Sequence, residues 1–191
     1  MNLASSKHIE EFVPGEILYH GAVQVTPFRN KEYIKKFNKN YALGADSKIA
    51  ESLGYIDPNI EIKRQNFGIQ NSSIISQGYL FNVGFGLSVH DISFNAIANL
   101  SYKNLRYGVP AYEGDILFAT SEVLGIEVKK DGASNGSVQV KTTITNQDNK
   151  VVLEYVRQVL VRASNGTTLD TQSSIQEQPE RIGLTEAMMP L

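Results

Sequence analysis

Three histidines, the side-chain type suited to proton transfer at physiological pH, occur in this chain: His8, His20 and His90. His8 stands in a polar start and reads as a solvated surface residue. His20 lies in an alternating segment and reads as a half-buried structural residue. His90 is followed by Asp91, a pairing that invites acid/base or Ser/His/Asp chemistry. It also closes a long apolar helix pattern, where a cation is favoured by the carbonyl end. With no Gly-x-Ser-x-Gly elbow and no second base near it in sequence, the helix-end role is preferred. Cysteine is absent, which removes a thiol nucleophile, a disulfide frame and a Cys-ligated metal together. No metal-ligand spacing or phosphate-binding loop occurs. Gly84-Phe85-Gly86 sits inside a helical pattern with no strand-to-helix turn before it. Taken alone, these residues describe a binding domain without a convincing catalytic constellation.

The elements that must position them follow from periodicity. Glu16 to Val25 alternates and reads as a strand with a bend at Gly21, stopped by Pro27. Asn30 to Phe37 reads as a short helix capped by Asn30. Ala45 to Leu53 is a second one, capped by Asp46 or Ser47 and ended by Gly54. Ile56 to Ser73, with Pro58 and no period, is expected to be a covering loop. From Ser76 to Val89, Leu80, Val83, Gly84 and Leu87 fall on one helical stripe. Phe81 and Phe85 make a second apolar row, so this helix must be wrapped, and its glycines are expected where a neighbour comes close. The period then changes to two. Ile97 to Tyr107 is a strand. Ile116, Phe118, Thr120, Glu122, Leu124, Ile126 and Val128 are expected on the inner face of the next. Val138, Val140, Thr142 and Ile144 line a third. Leu153, Tyr155, Val159 and Val161 line a fourth. Turn residues at Asp131 to Gly136 and Asn146 to Lys150 join the last three into a meander.

A helix followed by a long antiparallel meander is an α+β arrangement: about five antiparallel strands wrapped around one long helix. A chain of 191 residues with 41% hydrophobic residues supplies a core for one domain, over 1–164, with a polar tail over 165–191 that is mobile or lies on a partner. Net charge −2 and a pI near 5.9 give no footprint for nucleic acid. No apolar run reaches the ~20 residues of a membrane span or forms a leader, so a cytoplasmic protein is expected, with neither nucleic acid nor membrane as partner.

One run is not dictated by strand propensity: Val89-His90-Asp91-Ile92-Ser93-Phe94-Asn95-Ala96-Ile97-Ala98-Asn99-Leu100. With Arg106-Tyr107-Gly108-Val109-Pro110-Ala111-Tyr112-Glu113-Gly114-Asp115-Ile116-Leu117 and Val151-Val152-Leu153-Glu154-Tyr155-Val156-Arg157, it resembles the MaoC-like hydratases and dehydratases of the mesaconyl-CoA (β-methylmalyl-CoA) branch. The likeness spans roughly residues 12–163. It implies a hot-dog fold that binds an acyl-CoA where two such folds meet, with no cofactor beyond the coenzyme A thioester itself. In active members an Asp and a His within Gly-Asp-x-Asn-Pro-Leu-His handle the water and the α-proton. Backbone N–H groups at the start of the long helix polarise the thioester oxygen. Here that motif aligns with Asn38-Lys39-Asn40-Tyr41-Ala42-Leu43-Gly44, so the Asp falls on Lys39 and the His on Gly44. No catalytic residue is therefore assigned to this chain. Gln77 replaces the usual His before Gly78.

The resemblance is nearest the degenerate half of two-domain members, including Ala42-Leu43 and Ala50-Glu51-Ser52-Leu53-Gly54. It implies a homodimer, or a heterodimer with a separately encoded catalytic hot-dog subunit, acting on a short branched or dicarboxylic enoyl-CoA such as mesaconyl-CoA. Gln77, Gly78, Asp91, Asn95 and Asn99 are the residues expected to bind or orient the acyl-CoA. Two alternatives stand beside it: a homodimeric hydratase using Asp46 or His90 as base, and a thioester-binding module without lyase chemistry.

Overall fold

A computed structural model describes residues 6–37, 47–54 and 73–175. Strand β1, Ile17–Gln24, is followed by helix α1, Pro27–Lys36, and helix α2, Ser47–Ser52. Helix α3, Gln77–Ser88, runs into a π turn, Val89–Ser93. Then come β2, Ala96–Tyr107, β3, Ile116–Val128, β4, Asn135–Thr145, β5, Val151–Arg162, and a two-residue β6, Gln172–Ser173. The sheet is antiparallel in the order β1-β3-β4-β5-β2, with β6 on β3. The single long helix and the curved sheet are the architecture expected from the sequence, with β6 as an added strand. At the two hairpin turns, Gly132 (φ 72°) and Asn149 (φ 58°) take the left-handed conformation that Gly and Asn tolerate best.

The first helix at the entry differs from expectation in its cap, and the second ends as expected. α1 begins three residues earlier than Asn30: the Thr26 hydroxyl accepts from the Arg29 N–H at 3.4 Å and Pro27 occupies the first turn. Asn30 is then an interior helical residue, fully buried. α2 ends at Gly54 (φ 76°), whose N–H bonds the Glu51 carbonyl at 3.0 Å. Asp46, expected as a cap, and residues 56–72 of the covering loop expected over Ile56 to Ser73 lie outside the described residues.

The inner face of the sheet carries two apolar halves. α3 covers one, where Leu80 packs on Leu117, Ala119, Ile144 and Leu153. A 3-10 turn at Ile9–Glu11, with Phe12 and Ile92, covers the other, over Val123, Val128, Val138, Val140, Val159 and Val161. Gly84 lets α3 approach closely: a Cβ there would stand 2.4 Å from Ile144 Cδ1.

One strand-level expectation is overturned. On β3 the inner residues are Leu117, Ala119, Ser121 and Val123, while Ile116, Phe118 and Glu122 face out. Only after the register shift between Val123 and Gly125 do Ile126 and Val128 turn inward as expected. The run Ile116-x-Phe118 is thus an outer apolar pair, opposite Gln24 and Ala22 of β1. Part of the expected polar tail, 165–175, runs along the sheet with most of its residues exposed. Leu169 is buried against Ala133, Gln172–Ser173 pair with β3, and the Ser174 N–H bonds the Ile126 carbonyl at 2.8 Å. Gly125 makes that crossing possible, since a Cβ there would lie 2.3 Å from the Ser174 carbonyl oxygen.

Candidate functional site

The start of α3 is built by a buried polar lock. Residues 73–76 approach 111–113 through an antiparallel bridge at Ile74 and Tyr112, with the Ile75 N–H on the Ala111 carbonyl at 2.8 Å. Asn30 reaches across from α1. Its Oδ1 accepts from the Ser76 N–H at 3.2 Å, and its Nδ2 donates to Glu113 Oε1 at 3.0 Å and to the Ile74 carbonyl at 3.3 Å. The other Glu113 oxygen accepts from the Ser73 N–H at 3.3 Å. Both side chains are sealed from solvent, so each polar atom must be matched within the protein. Gly114 (φ 95°) and the Asp115 carboxylate, which accepts from the Tyr112 N–H at 2.8 Å, fold the turn that presents Glu113.

The first turn of the helix sits on this lock. Ser76 is its N-cap, and its hydroxyl makes no capping bond, so the first N–H groups have no side-chain cap from it. The positive end of the helix dipole adds to their pull on an oxygen. Gly78 faces Tyr33, whose hydroxyl lies 2.7 Å from where a Cβ would stand. Tyr33 accepts from Asn82 Nδ2 at 3.1 Å and packs on Phe37 and Tyr79. Tyr107 donates to the Gln77 carbonyl at 3.1 Å. Burial pushes the Tyr79 and Tyr107 phenols above their usual value, so both stay neutral donors at physiological pH.

A second polar feature lies beyond the other end of α3. His20 Nδ1 stands 2.6 Å from Asp91 Oδ2, His20 Nε2 is 2.8 Å from Ser121 Oγ, and Ser121 Oγ is 2.8 Å from Thr142 Oγ1. Asp91 Oδ1 also meets His90 Nδ1 at 3.3 Å. His20 is half-buried as a residue, as expected, with its side chain turned inward and its edge-strand backbone accessible, whereas the Asp91 side chain is 24% exposed. Burial holds the His20 imidazole below its ordinary value. Asp91 opposes this and the Arg157 charge adds to it. The spacing is that of a Ser/His/Asp triad, but Ser121 is sealed in mid-strand under the core and no substrate carbonyl can reach it. Arg157, fully buried on β5, continues the row: its Nη2 donates to Ser88 Oγ at 3.0 Å and its guanidinium lies 5.0 Å from the Phe85 ring centre.

The five residues expected to hold an acyl-CoA do not converge. Gln77 and Gly78 lie at the helix start. Asp91 is 14 residues further along helical backbone, about 20 Å away at the usual rise. Asn95 is committed elsewhere, its Nδ2 donating to the Ser6 carbonyl at 2.9 Å and to Lys7 at 3.2 Å. Asn99 is exposed on β2. Lys39 and Gly44 lie outside the described residues. Among the described residues no group of three His, Asp or Glu side chains is placed to hold a metal, and no helix is long and apolar enough to cross a membrane. A groove of about 400 Å³ lined by Leu100, Lys129, Ser137 and Leu160 shares no residue with the helix start. Asn30, Glu113 and Arg157 were missed by sequence reasoning. For Arg157 a signal existed, since it occupies an inward position between Tyr155 and Val159.

One long helix in the grip of an antiparallel sheet of order β1-β3-β4-β5-β2, its start held by buried polar groups, defines a hot-dog protein. No family model matches the chain. It is 32% identical to a β-methylmalyl-CoA dehydratase of Chloroflexus aurantiacus over 95% of its length and 47% of that protein's. It is 27% identical to a mesaconyl-CoA hydratase of Cereibacter sphaeroides over 100% of its length and 51% of that protein's. The crystal structure of a MaoC domain protein from Chloroflexus aurantiacus superposes with a TM-score of 0.76 at 32% identity, over 91% of this chain and 45% of the other. The chain therefore spans about half the length of the curated relatives it matches. It is similar to MaoC-like hot-dog hydratases and dehydratases.

Proposed function

We propose that this chain is the acyl-CoA-binding half of a MaoC-like hydratase/dehydratase, lacks the Asp/His pair, and works with a second hot-dog unit that carries it. The thioester is a short branched or dicarboxylic enoyl-CoA such as mesaconyl-CoA, and no other cofactor is required. The observation that carries this reading is the contrast between a helix start locked by Asn30 and Glu113 and a segment with Lys39 and Gly44 where a proton acceptor would be needed. Backbone N–H groups can hold a thioester oxygen, but neither a protonated amine nor a glycine can take an α-proton. The second unit has a natural seat on β2, an edge strand with Ile97, Leu100, Tyr102 and Leu105 exposed along it. Its unpaired N–H and C=O groups offer a ladder for another strand.

The test is hydration of mesaconyl-CoA by the purified chain, alone and with a hot-dog unit bearing Gly-Asp-x-Asn-Pro-Leu-His. The expected result is binding of the thioester but negligible turnover alone, and turnover in the assembly. A chain that hydrates the thioester well by itself, and loses the activity on Asp46→Ala without unfolding, refutes the reading in favour of a homodimeric enzyme.

A further inference from the structure

Helix α1 carries a stripe of cations and rings beside the start of α3. Arg29, Tyr33, Lys36 and the C-cap Phe37 fall at i, i+4, i+7 and i+8, so they share one flank of the helix. That flank meets the first turns of α3. The Tyr33 hydroxyl lies by Gly78 and Asn82, its ring stands 5.3 Å from that of Tyr79, and Arg29 bonds the Tyr79 phenol. On the other side of Tyr33 the Phe37 ring follows at 4.6 Å and is 53% exposed. Tyr79, Tyr33 and Phe37 thus make an aromatic run from the helix start out to solvent.

The charge on α1 has no counterpart in the protein. The chain as a whole carries −2, yet this helix holds Arg29, Lys31, Lys35 and Lys36 against a single acid, Glu32. Among the described residues none of its lysines stands in an ion pair; such pairs are made by Lys7, Arg106, Lys129 and Lys141. Arg29 reaches a phenol that burial keeps neutral. The carbonyl end of a helix favours cations, which accounts for Lys35 and Lys36 in the last turn. It does not account for Arg29 in the first turn, where a cation is disfavoured, nor for the exposed Phe37 ring. Two cations beside an exposed ring suit a nucleotide, whose phosphates pair with the charges while its base stacks on the ring.

We propose that this stripe seats the nucleotide end of coenzyme A, with its phosphates on Arg29 and Lys36 and its adenine on Phe37. This rests on the acyl-CoA-binding reading above, with the thioester at this chain's own α3 start. The reach fits. Asn30, bonded to the Ser76 N–H, and Phe37 are seven residues apart, about 10 Å along α1 at the usual rise. A pantetheine arm spans that length, lying over Tyr79 and Tyr33. The seat reads the carrier and is blind to the acyl group: it separates a coenzyme A thioester from the same acyl group on a carrier without a nucleotide.

The test is isothermal titration calorimetry of the full chain with crotonyl-CoA and with crotonyl-pantetheine, which ends before the nucleotide. The wild type is expected to bind the coenzyme A thioester about 30-fold more tightly, an advantage that shrinks as salt is raised. Arg29→Gln with Lys36→Gln should weaken crotonyl-CoA about 20-fold, and Phe37→Ala about 10-fold, while crotonyl-pantetheine moves by less than about twofold. Lys31→Gln with Lys35→Gln removes the same charge from the opposite flank and should cost less than about threefold. All five side chains are exposed, and circular dichroism shows which variants fold. If Phe37→Ala does not, the two charge variants carry the test. Equal losses in those two variants mean a diffuse charge effect and overturn the seat. A wild type that binds both thioesters equally overturns it while the acyl-CoA reading survives. One that binds neither sinks that reading and this inference with it.

Discussion

Asn30→Ala attacks the lock beneath the helix start. The amide makes three hydrogen bonds, at 3.0, 3.2 and 3.3 Å, in a place with no solvent access. Its removal leaves the Ser76 N–H, the Ile74 carbonyl and one oxygen of the Glu113 carboxylate unmatched. Each buried unmatched neutral group costs roughly 1–3 kcal/mol and a charged one more, although partial collapse or an entering water recovers some of the sum. The net expectation is a loss of about 3–5 kcal/mol, at the high end for a point substitution. With a urea slope of about 2 kcal/mol/M the unfolding midpoint falls by roughly 2 M. The companion variant Glu113→Ala removes the acceptor, so the double variant should cost less than the sum of the singles by about 1–3 kcal/mol. Urea titrations of the four proteins, followed by far-UV circular dichroism, measure all of this. If Asn30→Ala costs under about 1 kcal/mol, or the two losses add, the pair is not the lock described and the helix start is held by something else.

Two further outcomes follow from the packing and the pH behaviour. Gly84→Ala gains roughly 1 kcal/mol of helix propensity but drives a methyl into buried Ile144, so a net loss of up to about 2 kcal/mol is expected, and Ile144→Val should relieve part of it in thermal melts of the double variant. The folded-state value of His20 lies below the unfolded one, so its contribution to stability is full above about pH 6.5 and is lost as pH falls through the folded value. The slope reaches at most about 1.4 kcal/mol per pH unit for this one proton. Urea midpoints at pH 7.5 and 5 should therefore converge in His20→Gln relative to wild type, and an identical pH dependence in both proteins counts against the assignment.

Much of the fold was legible because β4, β5 and α3 bury what their periods say they bury. Val138, Val140 and Ile144 alternate inward, as do Leu153, Tyr155, Val159 and Val161. β3 was misread because its outer positions hold Ile116 and Phe118, while its inner ones hold Ala119 and Ser121. Hydrophobicity pointed to the wrong face, and the register shift before Gly125 then restored the right one. Asn30 looked like a cap because short polar residues favour caps, yet Thr26-Pro27 one turn earlier carries the stronger helix-start signal. The candidate site was far less legible. Glu113 and Asn30 are 83 positions apart in the chain, and nothing local in either announces the other. Asp91 was singled out as a ligand contact, but its partner is His20, brought to it by β1.

The buried row from His20 through Ser121 and Thr142 to Tyr155, which stands opposite Thr142, runs across β1, β3, β4 and β5. Apolar side chains on a strand are nearly indifferent to a slip of two residues, because every one of them stays on the inner face and finds another apolar neighbour. The polar row is not indifferent. A two-residue slip of β4 along β3 would set Ser121 against Val140 or Ile144 and leave hydroxyls unmatched in a dry core. The row therefore acts as the notch of a key: one tooth per strand, readable in a single alignment, which lets a meander of long, similar strands settle into one register out of several that its grease alone would accept.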